Sequence, residues 1–280
     1  MSVRFTDTVT PGVDHVYTGC RVLVEERTEL QHLVLFEHDL FGQVLLLDGA
    51  TQVTTADEHV YHEMMAHVPI LAHGAVRDVL IVGGGDGGLA RRVLEHAAVE
   101  RLTQVEIDPD VVRFARAHLQ PIHQGAFDDP RMDLVIADGL VFARETERRF
   151  DLVLVDSTDP VGPAAALIEE PFYRDLQRCL KPGGIVVTQS SVPFFQDEPF
   201  KRSLGNLRRV FEAATCYMIT VPTYFGGQMA LGFSGAAPVD LATLEARYRA
   251  AGLQTRYYAP DVHLAAFALP PYVRELLAAA

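Results

Sequence analysis

Two carboxylates stand three residues apart in the octet Asp156-Ser157-Thr158-Asp159-Pro160-Val161-Gly162-Pro163, directly after the apolar run FDLVLV. The prolines and glycine keep this stretch out of a helix, so the acids belong to a loop at a strand end. An active-site loop has this composition, and so does a structural turn rich in Asp and Pro. A second loop, Gly83-Gly84-Gly85-Asp86-Gly87-Gly88, follows DVLIV and satisfies GxGxxG, with Glu106 closing the next apolar run about 20 residues on. Glycines there let backbone approach a nucleoside closely, and the acid suits ribose hydroxyls. Asp86 would face the pyrophosphate of a dinucleotide, which argues against NAD and for a cationic ligand. It also suits a turn that needs a left-handed backbone. Asp138-Gly139 ends MDLVIAD, where Asp138 could accept from an adenine amino group while Gly139 admits the ring. Asp138 can equally cap the helical pattern that begins near Leu140.

The run HEMMAH invites a metal reading, but His62 and His67 lie five residues apart, about 140° around a helix, and cannot share an ion as an i, i+4 pair does. No metal site is expected. Val60, Met64 and Val68 follow helical spacing and read as core, with Tyr61 and His62 off that stripe. Cys20, Cys179 and Cys216 are far apart without CxxC spacing, as expected of buried thiols in a reducing compartment.

The elements that must position these residues are legible as periodicity. From Asp78 onward DVLIVGG, RLTQVEI, MDLVIAD, FDLVLVD and GGIVVTQ alternate with helical patterns, which predicts parallel strands with helices on both faces. In such a doubly wound α/β sheet, ligands bind beyond the carboxyl ends of the strands. Residues 1–56 read instead as a small β domain of short strands, RVLVEE, HLVLFE, QVLLLDG and TQVTT, with turns at Phe41-Gly42 and Asp48-Gly49. Thr55 and Glu58 form a capping-box pattern opening a helix from about Asp57 to near Gly74, and residues 57–280 form the Rossmann-like domain.

Hydrophobic residues make up 49% of the 280, yet charges interrupt every apolar run before the roughly 18 residues a membrane span requires. The opening MSVRFTDTVTPG has no secretory pattern, so a cytoplasmic location is expected. A formal charge of −13 repels phosphate backbones and anionic lipid, so neither nucleic acid nor membrane is an expected partner.

With these residues placed, the sequence resembles the spermidine synthase (polyamine aminopropyltransferase) family over nearly its whole length. The resemblance is carried by LFGQVLLLDGATQVTTADEHVYHEMMAHVPILAHG, VLIVGGGDGG, VEIDPDVV, DDPRMDLVIADG, FDLVLVDSTDPVGPAAALI, FYRDLQRCLKPGGIVVTQ, VPTYFGGQMALGFS and RYYAPDVHLAAFALP. It implies an N-terminal β domain on a methyltransferase-type Rossmann domain, a homodimer or larger homo-oligomer, and transfer of aminopropyl from decarboxylated S-adenosylmethionine to putrescine. The donor is a co-substrate, and no cofactor is implied. By the same resemblance Gln31, Asp86, Glu106, Asp138, Gly139 and Pro163 surround the donor, with Glu106 on the ribose and Asp138 near the adenine. Gln52, Tyr61, His62, Asp86, Asp156, Asp159 and Tyr224 line the polyamine end, Asp156 is the catalytic acidic residue, and Ser157 to about Glu169 acts as a lid. Ile168 stands where many relatives have Phe, and Ser190-Ser191 departs from many of them, which bears on lid packing and acceptor preference. Two other readings remain: a class I S-adenosylmethionine methyltransferase, which shares the glycine loop and ribose acid, and a non-catalytic polyamine-binding module.

Overall fold

The computed structural model describes residues 3–160, 162–225, 227–235 and 239–280, with backbone alone for Gly162 and Pro163. Five strands, β1 (Val3–Thr10), β2 (Val13–Arg27), β3 (His32–His38), β4 (Gly42–Leu47) and β5 (Ala50–Thr54), form an antiparallel meander in chain order. The turns at Gly42 (φ 65°) and at Asp48-Gly49 (φ 49° and 86°) adopt the left-handed backbone that their residue types favour. The first hairpin is longer than the sequence pattern suggested. RVLVEE is only the distal half of β2, and its proximal half pairs with β1 around Pro11-Gly12. One face of the sheet, Leu33, Leu35, Leu45 and Val53, packs on Val111, Phe114 and Ala115 of the second domain.

Helix α1 (Glu58–His73) is buried along most of its length and ends at Gly74 in the left-handed region, whose N–H donates to the Ile70 carbonyl. The expected capping box does not form. Thr55 Oγ1 accepts from the Gln43 amide instead, and Glu58 turns to His62 and Arg92. Asp57, at the cap position, accepts from the Thr54 hydroxyl and from the amide and hydroxyl of Thr223. Buried long-range donors have outcompeted the local pattern.

The second domain runs β6 (Asp78–Gly83), α2 (Gly88–Leu94), β7 (Arg101–Glu106), α3 (Pro109–His118), α4 (Gln120–His123), β8 (Met132–Ile136), α5 (Gly139–Glu145), β9 (Phe150–Asp156), α6 (Glu170–Arg178) and β10 (Leu180–Gln189). There follow α7 (Asp197–Val210), β11 (Thr215–Ile219), β12 (Met229–Phe233), α8 (Leu241–Ala251), α9 (Pro260–Ala266) and α10 (Pro271–Ala278). The sheet order is β11-β12-β10-β9-β6-β7-β8. Strands β6 to β10 pair in parallel, but β12 runs antiparallel to both β10 and β11, so the sheet is mixed rather than all parallel. The link between β11 and β12 is too short for the crossover that a parallel return requires.

Alternating residues of the central strands feed two cores. Val79, Ile81, Leu152 and Leu154 pack with α1 and α2, while Leu80, Val82, Val153 and Val155 pack toward α6 and α7. Strand β6 has β7 on one side and β9 on the other, so the strand order reverses there and a crevice opens beyond its carboxyl end. Among the described residues no helix is long and apolar enough to cross a membrane. All three cysteines are buried free thiols.

Candidate active site

The crevice is drawn together by the glycine loop. Gly83 has φ +88°, and a Cβ there would lie 2.1 Å from the Asp156 carbonyl oxygen, so only glycine fits. The Gly84 amide donates to that same carbonyl at 3.0 Å. The loop is thereby fastened to the end of β9, which sets Asp86 and Asp156 on neighbouring strand ends. Within it, Asp86 Oδ1 accepts from the Gly88 amide at 2.7 Å, so the residue serves the turn as well as facing the cleft. Burial raises the Asp86 carboxyl pKa, against the opposing pull of His62.

Asp156 Oδ1 accepts from the Tyr61 phenol at 2.8 Å. Its pKa is raised to about 6, first by burial and then by Asp86, with His62 and the Tyr61 bond pulling the other way. Tyr61 and Tyr224 meet edge to face at 5.9 Å between ring centres. Burial, then the charge of Asp156, holds both phenols well above their ordinary pKa, so both remain donors. Tyr224 donates to the Gln52 carbonyl at 2.6 Å, whereas the Gln52 side-chain amide turns back to the Ala50 carbonyl. His62 is buried, with Nδ1 2.9 Å from Glu58 Oε2 and Nε2 3.8 Å from Asp86 Oδ2.

On the far side of β6, Glu106 is 8% exposed, and burial pushes its pKa up to about 7 despite the hydrogen bond it accepts from the Asp108 amide. Gln31 reaches this corner from the N-terminal sheet, donating from Nε2 to Asp108 Oδ2 at 2.9 Å. Asp138 caps α5 by accepting from the Leu140 amide at 2.8 Å. A Cβ on Gly139 would lie 2.5 Å from Val82 Cγ1, so the glycine is required for the helix to pack on β6. The side chain of Pro163 and residue Val161 lie outside the described residues; the backbone from Gly162 to Ile168 forms a short 3-10 helix. Ile168 is buried at its end, and its carbonyl accepts from Asn206 Nδ2. Ser190 and Ser191 are buried too, Ser190 Oγ lying 3.0 Å from Thr188 Oγ1 and 3.3 Å from Ser203 Oγ.

Three glutamines escaped the sequence reading. Gln104 in β7 donates from Nε2 to the carbonyls of Gly83 (2.9 Å) and Gly84 (2.6 Å), tying the loop from behind. Its signal was a long polar side chain in the middle of a parallel strand, between Leu102 and Val105, where burial on both faces is expected. Asp159 accepts from Gln189 Nε2 at 3.2 Å and from Gln196 Nε2 at 2.7 Å. Gln196 sits in an irregular segment with no spacing to mark it. His67, by contrast, points away from this site to His96, Nδ1 to Nε2 at 2.9 Å.

The cleft therefore presents carboxylates at two neighbouring strand ends, Asp86 and Asp156, with a further acid, Glu106, at the end of β7 beside the glycine loop. Residues 58–241 match the model of the spermine/spermidine synthase domain, and residues 3–55 match the spermidine synthase tetramerisation domain. A polyamine aminopropyltransferase of Ruegeria sp. (strain TM1040) is 52% identical over 270 residues, covering 94% of this chain and 95% of that protein. Polyamine aminopropyltransferase 1 of Pseudomonas aeruginosa is 48% identical over 277 residues, covering 98% and 97%. A crystal structure of spermidine synthase with the transition-state analogue AdoDATO superposes with a TM-score of 0.94 at 34% identity, covering 99% of this chain and 96% of that one. The spermidine synthase of Thermotoga maritima gives 0.91 at 33% identity, covering 99% and 94%. By sequence, fold and strand-end acids together, the chain belongs to the spermine/spermidine synthase family.

Proposed function

We propose that the chain is a spermidine synthase, moving the aminopropyl group of decarboxylated S-adenosylmethionine to putrescine and releasing spermidine and methylthioadenosine. The observation that carries this is the joining of Asp86 and Asp156 across one cleft, with Tyr61 bonded to Asp156. A diamine is almost wholly protonated at neutral pH, because its amines titrate near pH 10 as lysine does, so the attacking nitrogen needs a base. Asp156 takes that proton. Asp159, steadied by Gln189 and Gln196, receives the remote ammonium together with Gln52, while Tyr61, His62 and Tyr224 line the polyamine end. The freed nitrogen attacks the methylene next to the sulfonium, the carbon–sulfur bond breaks with its electron pair to sulfur, and methylthioadenosine leaves. Alignment carries most of the catalysis, and the displacement requires neither metal nor cofactor.

Donor recognition is assigned to Gln31, Asp86, Glu106, Asp138, Gly139 and Pro163, with Glu106 on the ribose. Asp86 attracts the donor's ammonium and repels the carboxylate of ordinary S-adenosylmethionine. Residues 157–169 are the lid, the domain boundary falls between 56 and 57, and assembly as a homodimer or larger proceeds through the N-terminal domain. The reading places the enzyme in the cytoplasm with small-molecule substrates and without nucleic acid or membrane.

The test is incubation of the purified protein with decarboxylated S-adenosylmethionine and a panel of amines, each product identified by mass. Spermidine with equimolar methylthioadenosine is expected. Methyl transfer from S-adenosylmethionine would replace this reading with a methyltransferase, and diamine binding without methylthioadenosine would replace it with a binding module.

A further inference from the structure

Glu58 begins α1 with its carboxylate buried among charges. Oε2 lies 2.9 Å from His62 Nδ1, one turn along the helix, while Oε1 lies 3.2 Å from Arg92 Nη2 and 3.6 Å from Arg91 Nη1 of α2. Arg92 is 2% exposed and also contacts Glu63 and Glu95. A carboxylate of this kind only accepts, so His62 Nδ1 carries the hydrogen and the ring's other nitrogen is turned toward Asp86. Gly88 makes room for that pose, since a Cβ there would lie 2.3 Å from the His62 ring. Desolvating such a network is costly, and apolar residues would join α1 to α2 at least as well. What an apolar seam could not provide is a line of charge ending in the cleft.

We propose that Glu58 is a positioning residue: through Nδ1 it holds His62 in the orientation that sets Nε2 against Asp86, and Arg92 holds Glu58 in place. This rests on the reading of Asp86 as partner of the donor's ammonium. The groups facing His62 are Glu58 and Tyr61 of α1, Asp86 of the glycine loop and Asp156 of β9, with Arg91 and Arg92 behind Glu58. Burial lowers the His62 pKa, but Asp86, Glu58 and Asp156 outweigh it and the net direction is upward. A charge on the His62 ring opposes the upward push of burial on Asp86 and so favours the ionised carboxylate that a cation needs.

The test compares two ligands that differ in the ammonium: decarboxylated S-adenosylmethionine, which has it, and methylthioadenosine, which lacks it. In the full chain carrying Glu58→Gln, the His62 ring nitrogens, followed by NMR and assigned with His62→Asn, should titrate at lower pH. The preference for donor over methylthioadenosine near pH 7.5 should fall about tenfold, while methylthioadenosine affinity stays constant. If that variant does not fold, Glu58→Asp, which keeps the charge but withdraws the oxygen from Nδ1, is measured in the same way. A lower melting temperature with His62 titration and ligand preference unchanged overturns the proposal. An Asp86→Asn variant with undiminished preference overturns the underlying reading instead, because Glu58 is intact there.

Discussion

Replacing Asp156 by Asn keeps an acceptor for the Tyr61 phenol and nearly the same volume, but removes the base. The expected loss can be worked from the site. Burial and Asp86 raise the carboxyl from 3.8 to about 6. It is then roughly nine-tenths ionised at pH 7 in the empty site, yet about 2 pH units closer to the amine, which recovers about 3 kcal/mol of the uphill proton transfer. A positioned base is worth about 10²–10⁴-fold, and an amide that turns an N–H toward the incoming ammonium adds repulsion. Turnover in Asp156→Asn should therefore fall by about 10³-fold or more, with methylthioadenosine affinity changed by less than about threefold. Single-turnover release of methylthioadenosine, followed by mass spectrometry, measures the first quantity and titration calorimetry the second. In the native protein, kcat/KM for the diamine at saturating donor, where the Glu106 site is already filled, should rise with pH along a limb centred near 6, the ionisation of Asp156, and the variant should lack that limb. A variant within tenfold of native turnover, or one that keeps the limb, would refute the base assignment.

Three further outcomes follow from particular contacts. Gly83→Ala places a methyl 2.1 Å from the Asp156 carbonyl at φ +88°, so thermal denaturation should show a loss of about 2–3 kcal/mol along with activity, and an unchanged melting temperature would contradict the geometry. Gln196→Ala removes a 2.7 Å donor from Asp159; KM for the diamine should rise about fivefold, roughly 1 kcal/mol, with methylthioadenosine affinity unaltered. Glu106 ionises in the empty protein only near pH 7, and ribose hydroxyls prefer the ionised form, so methylthioadenosine affinity should be level above that pH and decline below it. Calorimetry near pH 7 in buffers of different ionisation enthalpy should detect the released proton, and Glu106→Gln should abolish it.

The parts of this molecule that local periodicity encodes were readable in its sequence. The glycine loop, the acids closing β6, β7 and β9, and the span of α1 all follow from apolar runs and their punctuation within a few residues. The β1–β2 hairpin was missed although Pro11-Gly12 sits between two alternating segments, and the antiparallel return of β12 was hidden because pairing direction is a property of partners. The Thr55/Glu58 signature misled for a related reason. Its residues found better partners far away, Glu58 in Arg92 and the neighbouring Asp57 in Thr223, separated by 34 and 166 positions. Gln196 carries no spacing signal at all, since its meaning comes from Asp159 arriving beside it.

Charge alone would not have found the site, because the surface carries many acids that only confer solubility. The fold displaces its buried carboxylates in opposite directions. Glu58, held by His62 and Arg92, has a pKa of about 2 even though burial pushes the other way. It contributes stability that is complete above the unfolded value of 4.5 and is lost as pH falls toward 2. Asp86, Asp156 and Glu106 are displaced upward, chiefly by burial. For these the folded protein holds its proton more tightly than the unfolded chain does, so stability declines as pH rises, through about 6 for Asp156 and about 7 for Glu106. At neutral pH the fold compensates the negative charge of the empty cleft only in part, through His62, whereas Glu58 has His62 and two arginines beside it. A cation entering the cleft supplies the missing partner, and because it binds the folded state alone, its binding also stabilises the fold. The strain of the unliganded site and its affinity for positively charged substrates are therefore one and the same free energy.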